Sequence, residues 1–255
     1  PPCYKDKFLL SNPPYLARNK SKDKTLYDTY NCNDLYKCFI INLIDGDCKG
    51  GIIIIPLNFM SSIRKADVDL RKRFIEKYSI SILNIFEEQV FVDTSYAVCS
   101  MLFNKRTKAD SMLIKTHVYP SKKMIELSIT KDNNYTIGGE IYNLPQNPEL
   151  HVRRATKDTK GNITNILLKC IDDNLTNKLG FKVVSDEDRY IDETLKRSAR
   201  SYATIVIDKY LTLDEQKILV KKMNDYIHEQ RLKYNSLFLT NFRDSNTIAR
   251  KRISF

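Results

Sequence analysis

Five consecutive residues near the start of the sequence, Ser11-Asn12-Pro13-Pro14-Tyr15, have the types and spacing to bind an amine beside a flat ring. Neither proline carries a backbone N–H, and Asn12 is biased towards an extended conformation because a proline follows it. The loop therefore presents acceptors, the Asn12 side-chain oxygen and nearby carbonyls, without competing backbone donors. Tyr15 adds an aromatic ring that can stack on a planar ligand.

The exocyclic amine of a nucleobase requires this arrangement of groups. Two acceptors take its hydrogens and turn its lone pair towards an electrophile, while an aromatic face holds the ring. A base inside a duplex cannot be reached, so such a site acts on a base that has been flipped out. A turn that merely contains two prolines is the alternative interpretation. The apolar run Phe8-Leu9-Leu10 before the motif favours instead a buried strand that ends in a binding loop.

The motif Asn12-Pro13-Pro14-Tyr15 resembles the Asn-Pro-Pro-Tyr signature of amino-methyltransferases. The resemblance implies that the Asn12 side chain and the Pro13 carbonyl bind the target amine. Tyr15 would stack on the base, and Pro14 belongs to the same rigid catalytic loop. Together with the run Gly50-Gly51-Ile-Ile-Ile-Ile-Pro56 and a basic C-terminal part, the sequence resembles an N6-adenine DNA methyltransferase of the TaqI type, from the type II restriction-modification family.

The elements that position these residues follow an α/β order. After the motif, the hydrophobic spacing predicts a helix from Asp34 to about Gly46, and Ser61 or Ser62 caps a second helix that runs to about Tyr78. Strands are predicted at 52–56, 80–86 and 95–103, the last two as an antiparallel pair. The order predicts an α/β fold, the second half of a doubly wound sheet. The resemblance implies the second half of a Rossmann-like class I methyltransferase sheet.

A second aromatic residue is implied by the resemblance alone. In TaqI-type enzymes, the segment that corresponds to Val90-Phe91 contributes a ring to the base pocket. Phe91 would then pack against the flipped adenine opposite Tyr15. An ordinary core position for Phe91 is the alternative.

The pattern changes after Lys105, where strands are no longer separated by helices. Strands are predicted at 112–119, 124–130, 135–144, 163–171 and 200–207, followed by a helix that begins at the capping box Thr212-Leu213-Asp214-Glu215. We therefore expect a catalytic part at residues 1–106. An α+β target recognition domain that binds DNA is expected at residues 107–255.

The charge of the chain favours a polyanionic partner. Lys and Arg number 42 against 31 Asp and Glu, which gives a formal charge of +11 and a pI near 9.2. An AT-rich genome or a solvated lysine surface would give the same bias, and a mobile charged loop is the alternative for the segment after the motif. The candidate DNA-binding residues are Arg18, Lys20, Lys22, Arg153, Arg154, Arg197, Arg200 and Arg243.

The resemblance implies S-adenosyl-L-methionine as methyl donor, double-stranded DNA as substrate and a companion restriction endonuclease among the candidate partners. One feature of the family is missing, namely an aromatic-x-Gly-x-Gly loop on the first strand and an acidic residue after the second. The seven glycines offer no such spacing. We therefore expect that the polypeptide is a fragment. Its main cofactor-binding loop lies upstream in the natural protein or in a partner chain, and the isolated fragment binds cofactor poorly.

Two other functions stay open at this point. The same signature serves enzymes that methylate a glutamine amide in release factors, although the β-rich part after Lys105 argues against them; RNA adenine is a further variant. The second alternative is a non-catalytic DNA-binding remnant.

The remaining residue types predict an intracellular location. The six cysteines form no Cys-x-x-Cys pair, which favours reduced thiols, and the three histidines His117, His151 and His228 are isolated, so no metal site is predicted. Neither a signal peptide nor a membrane-length apolar run is present, and we expect a cytoplasmic protein, bacterial or in the host cell of a virus.

Overall fold

The computed structural model describes residues 4–92, 94, 97–105, 110–143, 148, 151–172, 176, 178–195, 201–237, 240–242 and 250–252. The chain divides into two compact units. The first comprises Pro1–Tyr142 with Asn241–Ala249, and the second comprises Asn143–Thr240 with Arg250–Phe255. Each unit has its own sheet, so the architecture is mixed α/β with a six-stranded mixed sheet and a four-stranded antiparallel sheet. No helix within the described residues is long and apolar enough to cross a membrane.

The sheet of the first unit has the strand order β1-β2-β4-β3-β5-β6. The pairs β1–β2 and β3–β5 are parallel, whereas β4 is antiparallel to both β2 and β3, and β6 is antiparallel to β5. Four strands, β1, β2, β3 and β5, therefore point in the same direction. The strands are β1 Phe8–Ser11, β2 Gly50–Pro56, β3 Tyr78–Phe86, β4 Val98–Lys105, β5 Ser111–Tyr119 and β6 Lys123–Thr130.

The helices of this unit bury apolar stripes against one another and against one face of the sheet. In α2 (Leu35–Asp45) and α4 (Lys65–Lys77), buried residues recur three and four positions apart, as the amphipathic pattern predicts. Phe74 of α4 contacts Tyr78 of β3 and Phe103 of β4, with ring centroids 5.1 and 5.3 Å apart. Two shorter helices, α1 (Thr25–Thr29) and α3 (Asn58–Ser61), and two 3₁₀ turns, Arg18–Lys20 and Gly139–Tyr142, complete the unit.

On the opposite face of the sheet, the edge formed by β1 and β2 carries exposed apolar side chains. Ile53 and Ile55 of β2 are buried, while Ile52, which comes before them and lies on the other face, is 41% exposed. On the edge strand β1, Phe8 and Leu10 are 73% and 80% exposed. Leu10 is paired with Ile52 in the register, so these exposed side chains lie next to each other.

The structure confirms most of the predicted elements and corrects two. The helix predicted to begin after Ser61 or Ser62 exists as α4 but starts only at Lys65, because Ser62 and Arg64 are extended; the short helix α3 lies before the predicted start. The predicted strand at residues 135–144 is wrong: its described part, residues 135–143, consists of turns and a 3₁₀ helix, and Tyr135 and Gly138 both have positive φ. The predicted strands at 112–119 and 124–130 exist as β5 and β6. They extend the first sheet beyond residue 106, where the catalytic part was expected to end.

The second unit contains a sheet of order β7-β10-β8-β9 with antiparallel pairs throughout. A cluster of alternating residues from β8 and β10, including Ile166, Leu168 and Ile205, forms its core, and Leu219 of α5 packs against it. The predicted capping box is confirmed, since Thr212 and Glu215 bond each other's backbone N–H at the start of α5. The elements of this unit are β7 Val152–Arg154, β8 Ile163–Lys169, β9 Gly180–Val183, β10 Tyr202–Ile207, α5 Leu213–Lys233 and β12 Arg250–Arg252. In β11 (Thr240–Phe242), Thr240 is assigned to the second unit and the other two residues to the first.

Candidate active site at the end of the first strand

The motif lies where parallel strands of the first sheet end. Because β1 and β3 point the same way, the residues that follow Ser11 and those that follow Phe86 emerge at the same edge of the sheet. Ligands of open α/β sheets bind at this edge. The lack of a side chain at Gly51 allows β1 to approach β2 closely, because a Cβ atom at this position would lie only 2.1 Å from the carbonyl oxygen of Leu9. The local sequence therefore delivers the motif to a position suited to binding.

The first three residues of the motif differ in their exposure to solvent. Pro13 is buried, while Asn12 and Pro14 are exposed. The buried proline fixes the loop to the unit, and the exposed asparagine keeps its amide accessible.

The hydroxyl of Tyr15 ties the loop to the neighbouring strand. Its Oη atom lies 2.8 Å from Asn12 Oδ1 and 2.9 Å from the carbonyl oxygen of Ile54. A phenol has only one hydrogen, so it cannot donate to both oxygens. Both contacts are satisfied when the Asn12 amide is turned by a half rotation: Nδ2 then donates to Oη, and Oη donates to the Ile54 carbonyl. In that orientation Asn12 Oδ1 faces away from Tyr15 as a vacant acceptor.

The ring of Tyr15 is held by two other aromatic rings. Tyr36, buried on α2, lies with its centroid 6.3 Å away and at an interplanar angle of 85°, and Phe91 lies 6.1 Å away at 64°. Both are edge contacts. The rings of Phe91 and Tyr15 therefore touch each other, and the role of Phe91 in a base pocket stays a prediction. A base stacked between them would require Phe91 to turn aside, because each stacked layer needs about 3.5 Å.

The phenol of Tyr15 is neutral at physiological pH. Burial raises its pKa above the ordinary value, and the nearby Cys99 thiol, through its charge when ionised, raises it further. Burial alone also raises the pKa of Cys99. Tyr15 is therefore suited to act as a hydrogen-bonding, stacking group and not as a general base.

A buried ion pair beside the site was missed in the sequence. Lys37 of α2 binds Asp67 of α4, and both side chains are only 8% exposed. Lys37 Nζ also donates to Asn33 Oδ1 at 2.7 Å, and Ser62 Oγ donates to Asp67 Oδ2 at 2.6 Å. The pair fixes α2, and with it Tyr36, against α4. Its only sequence signal is a lysine between two apolar residues of a helix, which periodicity alone does not connect to an aspartate 30 positions away.

The candidate DNA-binding residues are scattered, and several are already paired. Arg18 binds Asp28, while Lys20 and Lys22 are exposed. Arg153 forms an ion pair with Asp208. Arg154 is only 4% exposed, lies 3.2 Å from Asp192 and donates to the Thr194 carbonyl, so its charge serves the interior of the second unit. Arg197, Arg200 and Arg243 lie outside the described residues.

The N-terminal segment of the chain matches a family model built on known proteins. Residues 7–91 match a family model described as Eco57I restriction-modification methylase. The matched segment contains the whole motif and extends to Phe91. It covers one third of the chain, and it supports a role related to restriction-modification methyltransferases. No curated protein sequence gives a significant match.

Solved structures of restriction-modification proteins also align with the chain. The type IIL enzyme MmeI in complex with DNA aligns at 12% identity, over 91% of this chain and 32% of its own, with a TM-score of 0.37. The EcoKI M protein aligns at 14% identity, over 92% and 49%, with a TM-score of 0.31. A modification subunit of a putative type I restriction enzyme from Vibrio vulnificus YJ016 aligns at 12% identity, over 48% and 29%, with a TM-score of 0.35. The chain spans less than half the length of each.

Proposed function

We propose that this chain supplies the amine-binding half and the recognition domain of an S-adenosyl-L-methionine-dependent DNA N6-adenine methyltransferase of a restriction-modification system. One observation carries the proposal: an Asn-Pro-Pro-Tyr loop lies at the carboxyl end of a parallel strand, inside the segment that matches the methylase family. The six-stranded sheet would then be the second half of a Rossmann-like methyltransferase sheet. The charge of +11 supports DNA as the partner.

The chemistry assigned to this chain is the orientation of the amine. Asn12 Oδ1 and the Pro13 carbonyl oxygen would each accept one hydrogen of the adenine N6 amine. Those two bonds direct the nitrogen lone pair out of the loop, while the neutral ring of Tyr15 stacks on the base. Positioning of this kind contributes to the rate by replacing an encounter with a fixed geometry, so no general base is required within the loop.

The sequence lacks the glycine spacing of the family's cofactor loop. When bound, S-adenosyl-L-methionine supplies the methyl group that the amine attacks. The glycines that contact neighbours serve the fold: a Cβ atom at Gly46 would lie 2.7 Å from the Tyr4 ring, and one at Gly50 would lie 2.5 Å from the Phe103 carbonyl oxygen. We therefore assign no residue of this chain to the cofactor. We place its loop in an upstream segment or in a partner chain.

The test is to express the chain together with its natural upstream segment and to map methylated adenines in DNA. Asn12→Ala removes one of the two acceptors and is expected to abolish methylation, because the lone pair is no longer directed. Asn19→Ala is the matched control, since Asn19 is an exposed amide four residues after the motif's tyrosine. Persistence of the methyl mark in Asn12→Ala would contradict the role of this residue.

A second candidate function is a DNA-binding protein without methylase activity. The lack of the glycine loop favours it. If the longer protein and its partner chains bind DNA but leave adenine unmodified, this function replaces the first. Methylation of a release-factor peptide or of RNA, with DNA unmodified, would instead keep the chemistry and change the substrate.

A further inference from the structure

The second unit contains a basic cavity that none of the predicted arginines lines. Its volume is about 540 Å³, and it lies between the edge of the four-stranded sheet and the second half of α5. Four cationic side chains line it, and no acidic side chain is found among its described lining residues. The four cationic residues are Lys169, Lys178, Lys182 and Arg231, and His228 also lines the cavity.

The strand register explains how the floor of the cavity forms. Lys169 of β8 is paired with Tyr202 of β10 on one side and with Gly180 of β9 on the other. Residues that are directly opposite point to the same face, so Lys169, Tyr202 and Lys182 share a face, with the two lysines as diagonal neighbours about 7–8 Å apart. Gly180 has no side chain to fill the space between them. A Cβ atom there would lie 3.0 Å from Asn224 Oδ1.

The wall of the cavity is fixed by α5. Asn224 accepts a hydrogen bond from the Phe181 N–H at 2.8 Å and donates one to the Phe181 carbonyl at 2.9 Å. These two bonds satisfy the outer edge of β9 as a neighbouring strand would. Because Asn224 holds the helix at this edge, Ile227, His228 and Arg231 on the same helical face are directed to the cavity.

Arg231 is oriented by a carboxylate behind it. Its two terminal nitrogens donate to Asp172 at 3.1 and 2.7 Å, and Asp172 also accepts the Leu179 N–H at 2.8 Å. Asp172 is buried and does not line the cavity. A guanidinium has five N–H donors, so a paired Arg231 keeps donors for a ligand. With Asp172 included, the group retains a net positive charge.

We propose that this cavity binds backbone phosphates of DNA, with Lys169 and Lys182 as the principal charges and Tyr202 as an aromatic surface for a sugar or base. The proposal rests on the proposed function only in taking DNA as the partner. Several separate cations can each contact a different phosphate oxygen, so they fit a chain of backbone phosphates better than they fit a ligand with a single carboxylate. The exposed Tyr202 ring beside the lysines favours a nucleic acid over a small inorganic anion, since basic grooves with aromatic rings bind nucleic-acid strands.

The experiment compares two double variants of the full 255-residue chain that lose equal charge. Lys169→Gln with Lys182→Gln removes two cavity lysines. Lys160→Gln with Lys222→Gln removes two exposed lysines outside the cavity, Lys222 being on the opposite side of α5 from Asn224. Anisotropy of a fluorescent DNA duplex, measured over a range of salt concentrations, gives the affinity and its salt dependence for each variant, and circular dichroism checks that both variants fold.

The cavity variant is expected to bind the duplex about tenfold more weakly, and its slope of log affinity against log salt is expected to fall by about 1 for each lost phosphate contact. The control variant is expected to stay close to the native chain. Equal weakening in both variants, or none in the cavity variant, would overturn the proposal. Tyr202→Ala is expected to weaken DNA binding while keeping the salt slope, since it removes stacking and no charge.

Three further results separate the alternatives. Calorimetry with inorganic phosphate tests a free-anion site: cavity-dependent phosphate binding without cavity-dependent DNA binding would overturn the assignment. A preference for the matched RNA duplex, with DNA binding independent of the cavity, would overturn it as well. Loss of methylase activity alone gives no information on whether the cavity binds DNA, because the two properties are measured separately. Cavity-dependent DNA binding in a protein that methylates nothing would support this proposal while the proposed function fails.

Discussion

Tyr15 shows how one side chain links the motif to the rest of the sheet. Its ring contacts Tyr36 and Phe91, and its hydroxyl reaches the Ile54 carbonyl and the Asn12 amide. The hydroxyl therefore positions the amide that is proposed to bind the amine. The same burial that holds Tyr15 in place raises its pKa, and this has a measurable consequence for stability.

We predict that Tyr15 makes the chain lose stability in alkali. Below about pH 10 the phenol is protonated in both the folded and the unfolded state. Above that pH the unfolded phenol releases its proton while the folded one retains it, so the free energy of unfolding decreases as pH rises. Tyr15→Phe is expected to give a shallower decrease between about pH 10 and pH 12 in urea unfolding. At neutral pH it costs about 1 kcal/mol for the lost hydrogen bond.

The matched control is Tyr210→Phe, which removes an exposed phenol from the second unit. It is expected to keep the native slope. If Tyr15→Phe also keeps the native slope, the phenol is not held in the protonated form by the fold, and the burial argument for Tyr15 is wrong.

The individual residues of the motif could be found from the sequence, but their contacts could not. Asn12-Pro13-Pro14-Tyr15 is a local signal, because two adjacent prolines restrict the backbone wherever they occur. The bond from Tyr15 to Ile54 spans 39 positions and depends on which strand lies next to β1. Arg154 shows the reverse error: its residue type suggested a DNA contact, whereas its burial and its pairing with Asp192 are decided by tertiary structure.

At the scale of elements, the helices α2 and α4 form the support for the site. They are joined by the buried Lys37–Asp67 pair, and Arg71 joins α4 to the turn at residues 134–136 by donating to the Asn134 carbonyl and to Thr136 Oγ1. Burial lowers the pKa of Arg71 to about 10, and the charge of Asp67 opposes this shift. Three charged side chains, Lys37, Asp67 and Arg71, are thus buried inside the unit, where each depends on its partners.

We predict that Lys37→Met destabilises the chain by about 3–5 kcal/mol, because it leaves the buried Asp67 carboxylate without its cation. The double variant Lys37→Met with Asp67→Leu is expected to recover most of this loss, since neither charge then remains buried. Urea unfolding of the four members of the cycle measures the coupling between the two positions.

The exposed pair Arg73–Asp45 provides the control for this cycle. Its atoms lie 3.2 Å apart, and both side chains are about half exposed, so Arg73→Met is expected to cost less than about 1 kcal/mol. If Lys37→Met costs no more than Arg73→Met, the interior pair does not fix α2 to α4.

Elements with strong local signals were predicted well, and those decided by context were not. The apolar run that became β2 and the capping box of α5 are local, so they were found. The segment at residues 135–144 contains apolar residues that suggest a strand. Its described part folds as turns and a 3₁₀ helix, because Tyr135 and Gly138 adopt positive φ and Arg71 donates to the Asn134 carbonyl just before it and to Thr136 Oγ1 within it. The pairing between β3 and β5 could not be predicted from local pattern either, because β4 separates these two strands in the sequence.

At the scale of the whole molecule, the unusual feature is a group of exposed apolar side chains at the β1 edge of the first unit's sheet. Phe8 and Leu10 alternate along β1 and are mostly exposed, next to Ile52 on β2. Contiguous exposed apolar side chains on an edge strand favour association with another polypeptide. In the proposed function this is the edge to which the cofactor-binding half of the sheet would be added.

We predict that Leu10→Lys reduces self-association of the 255-residue chain. A lysine on an edge strand discourages pairing because its charge would have to be desolvated at the new interface. Sedimentation velocity over a range of protein concentrations measures the monomer fraction, which is expected to rise.

Leu232→Lys is the control, since Leu232 is an exposed leucine on α5. In the longer protein with its upstream segment, Leu10→Lys is instead expected to lower the melting temperature, because the proposed second half of the sheet would bury residue 10. Unchanged association in the short chain together with an unchanged melting temperature in the long one would show that this face has no polypeptide partner.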